Sequence, residues 1–275
     1  MSDYIRQHAV KIDYKLGESW IILNEIEQSI KKKIEAVGTP LKDWNISINY
    51  GIKTGLNEAF IISKEKRDEL IEADPKSAEI IRPILRGRDI KKNSYEFANI
   101  YVITAYKGIN KIIKKEYPEI YLHLKKYEKK LRQRGQVEGK PGKPGSNQHH
   151  WTELDNNVSL EKLDDFSKPK IFWSDISTSS NFVLINDEIY INNTAYMITD
   201  IHPNAVYILN SRIMNWYFSK ICSDLGNSSR YFKQYVELLP LPHNADIYND
   251  LSSENTDSKL SAFYQFTSEE YKKIK

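Results

Sequence analysis

A stretch dense in glycine and proline divides the chain near its middle. Glycine or proline recurs at steps of one to four residues from Gly135 to Gly145. Neither a helix nor a long strand continues through such a run. We therefore predict a long basic loop over residues 135–150, and the alternatives for a loop of this length are a functional segment or a disordered linker.

The charge of the chain is concentrated just before and within this loop. Between Lys107 and Lys143 there are 12 Lys/Arg and 4 Asp/Glu, a local charge of +8 in a chain whose total is +3, so the remainder carries −5. One basic segment on an otherwise acidic body is expected of a protein that binds a polyanion. The alternative is a lysine-rich helix face exposed to solvent.

The periodicity of apolar residues predicts a mixed α/β (α+β) fold. Apolar steps of three and four residues predict a helix at 18–36, a basic amphipathic helix at 118–134 and a long apolar core helix at 203–222. Short runs of β-branched and aromatic residues predict twisted, mostly antiparallel strands. Shorter elements are expected as an extended segment at 45–63, helices at 65–73 and from Asp74-Pro75, and strands at 99–104, 170–173, 181–185, 188–191 and 195–199.

The motifs of several enzyme classes are absent from the sequence. There is no Asn/Asp-Pro-Pro-aromatic segment of an amino-methyltransferase and no glycine-rich phosphate or dinucleotide turn. Cys222 is the single cysteine, and the adjacent His149 and His150 lack a third ligand at metal-binding spacing. We therefore predict no catalytic residue, no metal site and no cofactor in this chain. Without a membrane span or signal peptide pattern, we expect a cytoplasmic protein with no membrane partner.

Several motifs resemble one protein family in their residues, order and spacing. They are GIKTGLNEAF (51–60), RDELIEADPKSAEIIRPILRGRDI (67–90), KPKIFWSDIS (168–177), ILNSRIMNWYF (208–218) and RYFKQYVELLPLP (230–242). Together they are similar to the TaqI-like C-terminal specificity domain of restriction-modification enzymes. The likeness runs from about Gly38 to Lys275 and predicts three regions: a connecting N-terminal helix at 1–37, the specificity domain at 38–242 and a polar tail with a short helix at 243–275.

The resemblance implies sequence-specific recognition of double-stranded DNA for a bacterial methyltransferase or restriction endonuclease. In such proteins an adjoining domain methylates adenine N6, so S-adenosylmethionine is expected only in that domain, and some members also carry a nuclease. The expected partners are therefore duplex DNA and a linked or separate methyltransferase domain. Two alternatives stay open: a protein-interaction subunit of an anti-phage methyltransferase complex, and a fragment with unrecognised nuclease activity.

Two candidate contact groups lie in the first half of the chain. Lys53, Thr54 and Asn57 are expected at the tip of a glycine-containing turn. Arg86 and Arg88 flank Gly87, where arginine can bind guanine or phosphate with two hydrogen bonds. The alternatives are a turn kept for its shape and an internal ion pair of arginine with Asp89 or Glu79.

Three further candidate groups follow along the chain. Phosphate contacts are predicted for the cations of the basic helix and loop, namely Lys129, Arg132, Arg134, Lys140 and Lys143. Base contacts are predicted at the end of the loop, from Gln148, His149 and His150. A second polar cluster comprises Arg230, Tyr231 and Lys233, where the tyrosine could equally belong to the core.

Overall fold

The computed structural model of the chain describes residues 23–274 except 138, 141–142, 145–147 and 223–228. Its α-helices in these residues are α1 (Glu25–Val37), α2 (Asn57–Phe60), α3 (Lys64–Ala73), α4 (Ile113–Glu116), α5 (Pro118–Lys125), α6 (Glu128–Arg132), α7 (Leu160–Asp164), α8 (Ala205–Leu209), α9 (Arg212–Ile221), α10 (Lys233–Val236), α11 (Thr256–Phe263) and α12 (Ser268–Ile274). Polar side chains cap several helix starts. Asn24 and Glu27, for example, form a reciprocal capping box before α1.

The strands are short and almost all of their pairings are antiparallel. They are β1 (Gly38–Pro40), β2 (Ser47–Tyr50), β3 (Ile61–Ser63), β4 (Ile81–Leu85), β5 (Ile90–Lys91), β6 (Ser94–Tyr95), β7 (Ile100–Ile103), β8 (Gly139–Lys140), β9 (Lys143–Pro144), β10 (Lys170–Ser174), β11 (Ile176–Ser177), β12 (Val183–Ile185), β13 (Tyr190–Ile191), β14 (Ala195–Thr199), β15 (Ser229–Arg230) and β16 (Pro240–Pro242). Among these strands, β13 and β4 pair in parallel.

The described chain divides into two compact units. The sheet unit consists of Ser47–Asp175 with Asn181–Pro203, and the helical unit consists of the described residues up to Ile46, Ile176–Ser180 and those from Asn204 onward. The region boundaries predicted at residues 37 and 242 both fall within the helical unit. The predicted boundaries were drawn from the family resemblance, whereas the two units are defined by their compactness. The boundaries therefore stay predictions.

The sheet unit contains two four-stranded sheets, ordered β12-β10-β14-β2 and β13-β4-β7-β3. The chain leaving β2 joins them, because Gly51 N donates to Ala195 O and Ile52 N donates to Ile191 O. A Cβ at position 51 would lie 2.2 Å from Asn192 O, so this close approach requires glycine. The carboxyl ends of β2, β4, β10 and β13 therefore meet at one edge of the unit.

The helical unit is built around α1 and the C-terminal helices. Glu270 of α12 accepts hydrogen bonds from Ser29 and Lys33 of α1, both at 2.6 Å. Lys220 and Tyr217 of α9 contact α1 as well, through Glu27 and Glu35. Ile30 and Ile34 of α1 are fully buried.

The mixed α/β class and the mostly antiparallel strands are confirmed. Asp74 caps a helical turn that starts at Pro75, as predicted, but this turn is a 3-10 helix that ends at Ile80 and leads into strand β4. The predicted helix at 18–36 is seen from Glu25 onward, and residues 18–22 lie outside the described residues. No helix in the described part of the chain is long and apolar enough to cross a membrane.

Two segments expected as single long helices are each divided in two. The apolar segment 203–222 forms α8 and α9, because Ser211 adopts an extended conformation and caps the new helix by accepting a hydrogen bond from Met214 N. The basic segment 118–134 forms α5 and α6, separated where Tyr127 has φ −103° and ψ 3°. The expected loop at 135–150 contains a minimal antiparallel pair, β8 with β9.

Candidate nucleic-acid interface

A polar groove of about 350 Å³ opens at the edge of the sheet unit where the strands end. It is lined by Arg86, Gly87, Arg88, Ser174, Asp175, Asn192 and Thr194. Two turns form its walls, one after β4 and the other between β13 and β14. Arg86 and Arg88, predicted from the sequence, thus lie beside residues more than 80 positions later.

Arg86 is held by a carboxylate inside its own turn. Its Nε and Nη2 donate to the two carboxylate oxygens of Asp89, each at 2.8 Å, and its backbone N–H also donates to Asp89 at 2.8 Å. Burial raises the pKa of Asp89, but the hydrogen bonds and charge of Arg86 outweigh it and hold the pKa below its usual value. The internal ion pair that the sequence left open is therefore present, and Arg88 is the exposed arginine of the turn.

Gly87 brings the two turns into contact. Its N–H donates to Thr194 Oγ1 at 2.9 Å. A Cβ at position 87 would lie 2.5 Å from Thr194 O and 2.7 Å from Ser174 Oγ. Because both neighbours belong to the groove wall, any larger residue would push the turns apart.

The Asn192–Asn193–Thr194 turn is braced from several sides. Ala195 N donates to Asn192 O at 3.1 Å and closes a β-turn. Thr194 Oγ1 donates to Asn192 Oδ1 at 2.7 Å, and Asn192 N donates to Leu85 O of β4 at 3.0 Å. These bonds fix the turn against β4 and leave Asn193 exposed at its apex.

The loop that carries Lys53 reaches the same turn. Ile52 forms a parallel bridge with Asn192, and the next residue, Lys53, is exposed. Thr54 is buried and donates to Asn57 Oδ1 at 2.6 Å, while Asn57 is exposed at the start of α2. Of the three residues predicted here, Lys53 and Asn57 are accessible and Thr54 is part of the loop's internal structure.

Arg134 is buried and occupied by acceptors inside the sheet unit. It donates to the carbonyl oxygens of Thr54, Trp151, Glu153 and Leu131 at 2.8–3.0 Å, and Nη1 lies 3.1 Å from Asp155 Oδ1. Burial lowers its pKa, against the charges of Asp155 and Glu153. The prediction of a surface phosphate contact is wrong for this residue in the described geometry, because its guanidinium faces inward.

The residues at the end of the loop are divided between surface and interior. Gln148 is exposed. The His149 side chain is fully buried, with Nε2 3.0 Å from Gln136 Oε1 and 3.4 Å from Asp155 Oδ1. His150 Nδ1 lies 2.8 Å from Thr152 Oγ1, and burial lowers the pKa of His150. His149 is therefore misplaced as a base contact, because its ring supports the loop from within.

The basic helix contributes accessible cations of two kinds. Lys129 is exposed. Arg132 is paired with Glu128 at 2.8 Å, and its guanidinium lies 5.5 Å from the centre of the Trp151 ring. The side chains of Lys140 and Lys143 lie outside the described part of the structure.

The last predicted cluster belongs to the helical unit. Tyr231 is buried, stacks on Phe218 with ring centres 4.0 Å apart and donates to Asn215 Oδ1. Its assignment to a DNA-facing surface is therefore wrong, and the core alternative is correct. Arg230 and Lys233 are exposed.

Sequence reasoning missed Ser174, Asn192 and Thr194 of the groove lining, together with the exposed Asn193 between the last two. The signal available for residues 192–194 was a polar INNT turn between two predicted strands. Among the described residues there is no group of three or more His, Cys, Asp and Glu side chains that could hold a metal ion.

The fold of the chain matches part of a known restriction-modification enzyme. It aligns with the Type IIL restriction-modification enzyme MmeI, solved in complex with DNA, with a TM-score of 0.57 and 15% identity over 85% of this chain and 30% of that one. Residues 82–241, more than half of the chain, match the model of the TaqI-like C-terminal specificity domain. The chain thus contains a C-terminal specificity domain. It belongs to the TaqI-like C-terminal specificity domain family.

Two curated relatives match nearly the whole chain. The type II methyltransferase M.BstVI of Geobacillus stearothermophilus is 20% identical over 94% of this chain and 46% of its own length. The type II methyltransferase M.PaeR7I of Pseudomonas aeruginosa is 20% identical over 89% of this chain and 40% of its own length. The chain therefore spans a little under half the length of these relatives.

Proposed function

We propose that this chain selects the duplex DNA sequence on which a linked methyltransferase domain acts, and that it carries out no chemistry itself. Membership of a specificity-domain family supports this role. The named relatives are methyltransferases whose length is more than twice the matched part. Under the proposal, the catalytic residues and the S-adenosylmethionine site belong to a methyltransferase domain corresponding to the unmatched part.

The convergence of three distant segments on one edge carries the proposal. The loop after β2 forms a β-bridge with Asn192 at Ile52, and the turn after β4 donates a hydrogen bond from Gly87 N to Thr194 Oγ1. In each case the next residue is an exposed cation, Lys53 or Arg88. Exposed donors on a hydrogen-bonded framework are what DNA recognition requires, since phosphate contacts set the register and base contacts give specificity.

The basic helices would extend this contact along the DNA backbone. Lys129 is an exposed cation on α6, and Arg134, at the end of the same segment, is bonded to the Thr54 carbonyl. This bond ties the basic segment to the loop that carries Lys53. A polyanion that contacts the loop could therefore also meet the basic helix, and such contacts weaken as salt rises.

The salt dependence of DNA binding tests this surface. A fluorescent duplex of random sequence is titrated with the purified chain across about 50 to 200 mM salt. The affinity falls as salt rises, and each phosphate contact that is lost makes the negative slope of log K against log salt less steep by about 0.9. We expect the Lys53→Ala/Lys129→Ala variant to bind more weakly and with a less steep slope, because both exposed lysines are proposed phosphate contacts. Lys168→Ala is the control, because Lys168 precedes β10 at the end opposite Ser174. Equal binding by the wild type, the double variant and Lys168→Ala would contradict the proposal that this surface binds DNA.

A further inference from the structure

We infer that Arg88 in the groove and Asn193 on the exposed turn beside it determine base identity, and that the bases they recognise are guanine and adenine, respectively. This inference rests on the proposed function. It separates the residues that read bases from the residues that hold the two turns in place. It assigns a specificity role to Asn193, which the sequence did not single out.

Asn193 is the apical residue of a turn whose other polar groups hold it in place. Thr194 Oγ1 donates to Asn192 Oδ1 and accepts from Gly87 N. Asn192 N donates to Leu85 O. Thr194 O also accepts from Asp175 N at 3.1 Å. The Asn193 side chain is exposed and makes no hydrogen bond within the described residues. An amide on a braced turn loses little backbone freedom on binding, which favours precise readout.

The chemistry of the Asn193 amide matches one base edge. It presents one acceptor and two donors without charge. Adenine exposes an N7 acceptor and an N6 donor in the major groove, and asparagine pairs with both. Because the amide carries no net charge, it is a poorer phosphate ligand than the neighbouring cations.

The two arginines of the groove differ in availability. Arg86 donates hydrogen bonds from Nε and Nη2 to the Asp89 carboxylate, and this ion pair holds the turn in place. Arg88 is exposed, and its side chain makes no hydrogen bond or ion pair within the described residues. Arginine pairs with O6 and N7 of guanine through two donors. Arg88 is therefore the member of the pair that can read guanine without breaking an existing ion pair.

Selection from a duplex pool with one randomised segment tests the inference with the full chain. We expect the wild type to enrich a motif with an adenine and a guanine, and Asn193→Ala to lose preference at the adenine by about 10-fold. Asn193→Asp should replace the adenine with cytosine, since a carboxylate accepts from cytosine N4. Arg88→Ala should relax the guanine only. Asn186→Asp is the control, an exposed asparagine after β12 at the far end of the sheet.

The outcomes separate this inference from the function on which it rests. If the wild type enriches a motif and the variants keep it unchanged, the readout assignment is wrong while DNA recognition stands. If the variants weaken binding to every sequence equally, the two residues are backbone contacts and the assignment is also wrong. If the wild type enriches nothing, the proposed function and the inference both fail for this chain.

Discussion

Arg134 donates a hydrogen bond to the backbone oxygen of Thr54, a residue 80 positions earlier, at 2.9 Å. The same guanidinium bonds the carbonyls of Trp151 and Glu153 and contacts the carboxylate of Asp155. One buried cation thereby joins the loop that carries Lys53, the end of the basic helices and the segment that follows the basic loop. The positions of Lys53 and of the basic segment therefore depend on a residue that does not itself face solvent.

Replacing Arg134 tests this role through stability. Arg134→Met removes the arginine partner of the buried Asp155 carboxylate and the guanidinium hydrogen bonds to four carbonyls, and losing one partner of a buried pair costs about 3–5 kcal/mol. Urea unfolding measures this loss. Arg132→Met is the control, because Arg132 pairs with Glu128 near the surface, where an ion pair contributes about 0–1 kcal/mol. Equal losses in the two variants would contradict a special role for Arg134.

Gly87→Ala tests the contact between the two turns of the groove. The added Cβ meets Thr194 O and Ser174 Oγ, and overpacking of this kind costs about 1–3 kcal/mol. We expect lower stability together with weaker discrimination among DNA sequences. Gly135→Ala, with no heavy atom within 4 Å of the new Cβ, should change neither. A fully stable Gly87→Ala variant with unchanged sequence preference would show that the close contact of Gly87 with Thr194 and Ser174 is not required.

Lys170 gives the fold a defined pH dependence. It is buried, and its Nζ donates to the carbonyls of Phe166, Lys168 and Asp187. Burial lowers its pKa to about 8, against 10.5 for the unfolded chain. Between these values the unfolded state binds more protons, so the unfolding free energy rises with pH in this window.

The difference between the wild type and Lys170→Met isolates this effect. The unfolding free energy of the wild type relative to the variant should increase from pH 8 to pH 10, by at most about 1.4 kcal/mol per pH unit. Lys168→Met provides the comparison, because the exposed Lys168 has a pKa raised by its hydrogen bond with Asp165 and should show no such increase. A flat difference for Lys170→Met would contradict the assigned pKa.

Glu270 should make the docking of the C-terminal helix sensitive to acid. Burial raises its pKa, but hydrogen bonds from Lys33, Ser29 and Thr267 N outweigh this and lower it to about 2. A lowered pKa stabilises the fold above the unfolded value of 4.5, and this stability is lost as pH falls towards 2. Glu270→Gln should therefore be less stable than the wild type at neutral pH and converge with it in acid. Glu269→Gln, an exposed neighbour, should follow the wild-type curve throughout.

Local signals in the sequence predicted much of the framework. The cap and proline at Asp74-Pro75 mark a helix start in both sequence and structure, and strand β14 has the predicted bounds. Such features depend on neighbours within a few residues. The break at Asn210-Ser211 was missed because the apolar pattern continues across it, although Ser211 is a good capping residue.

The content of the groove could not be predicted in the same way. The Arg86–Asp89 pair was open to sequence reasoning because its partners are three residues apart. The Asn192–Thr194 turn reaches Gly87 through the parallel pairing of β13 with β4, and residue periodicity does not reveal strand partners. The inward direction of Arg134 also depends on distant carbonyls, so this cation of the basic segment was assigned to the wrong side.

Selection of a randomised duplex library by the purified wild-type chain, at low and moderate salt, tests DNA recognition most directly. We predict one enriched motif that persists at the higher salt, because base contacts depend less on counterion release than phosphate contacts do. Binding that enriches no sequence, or that disappears at moderate salt, would contradict a sequence-reading role for this chain.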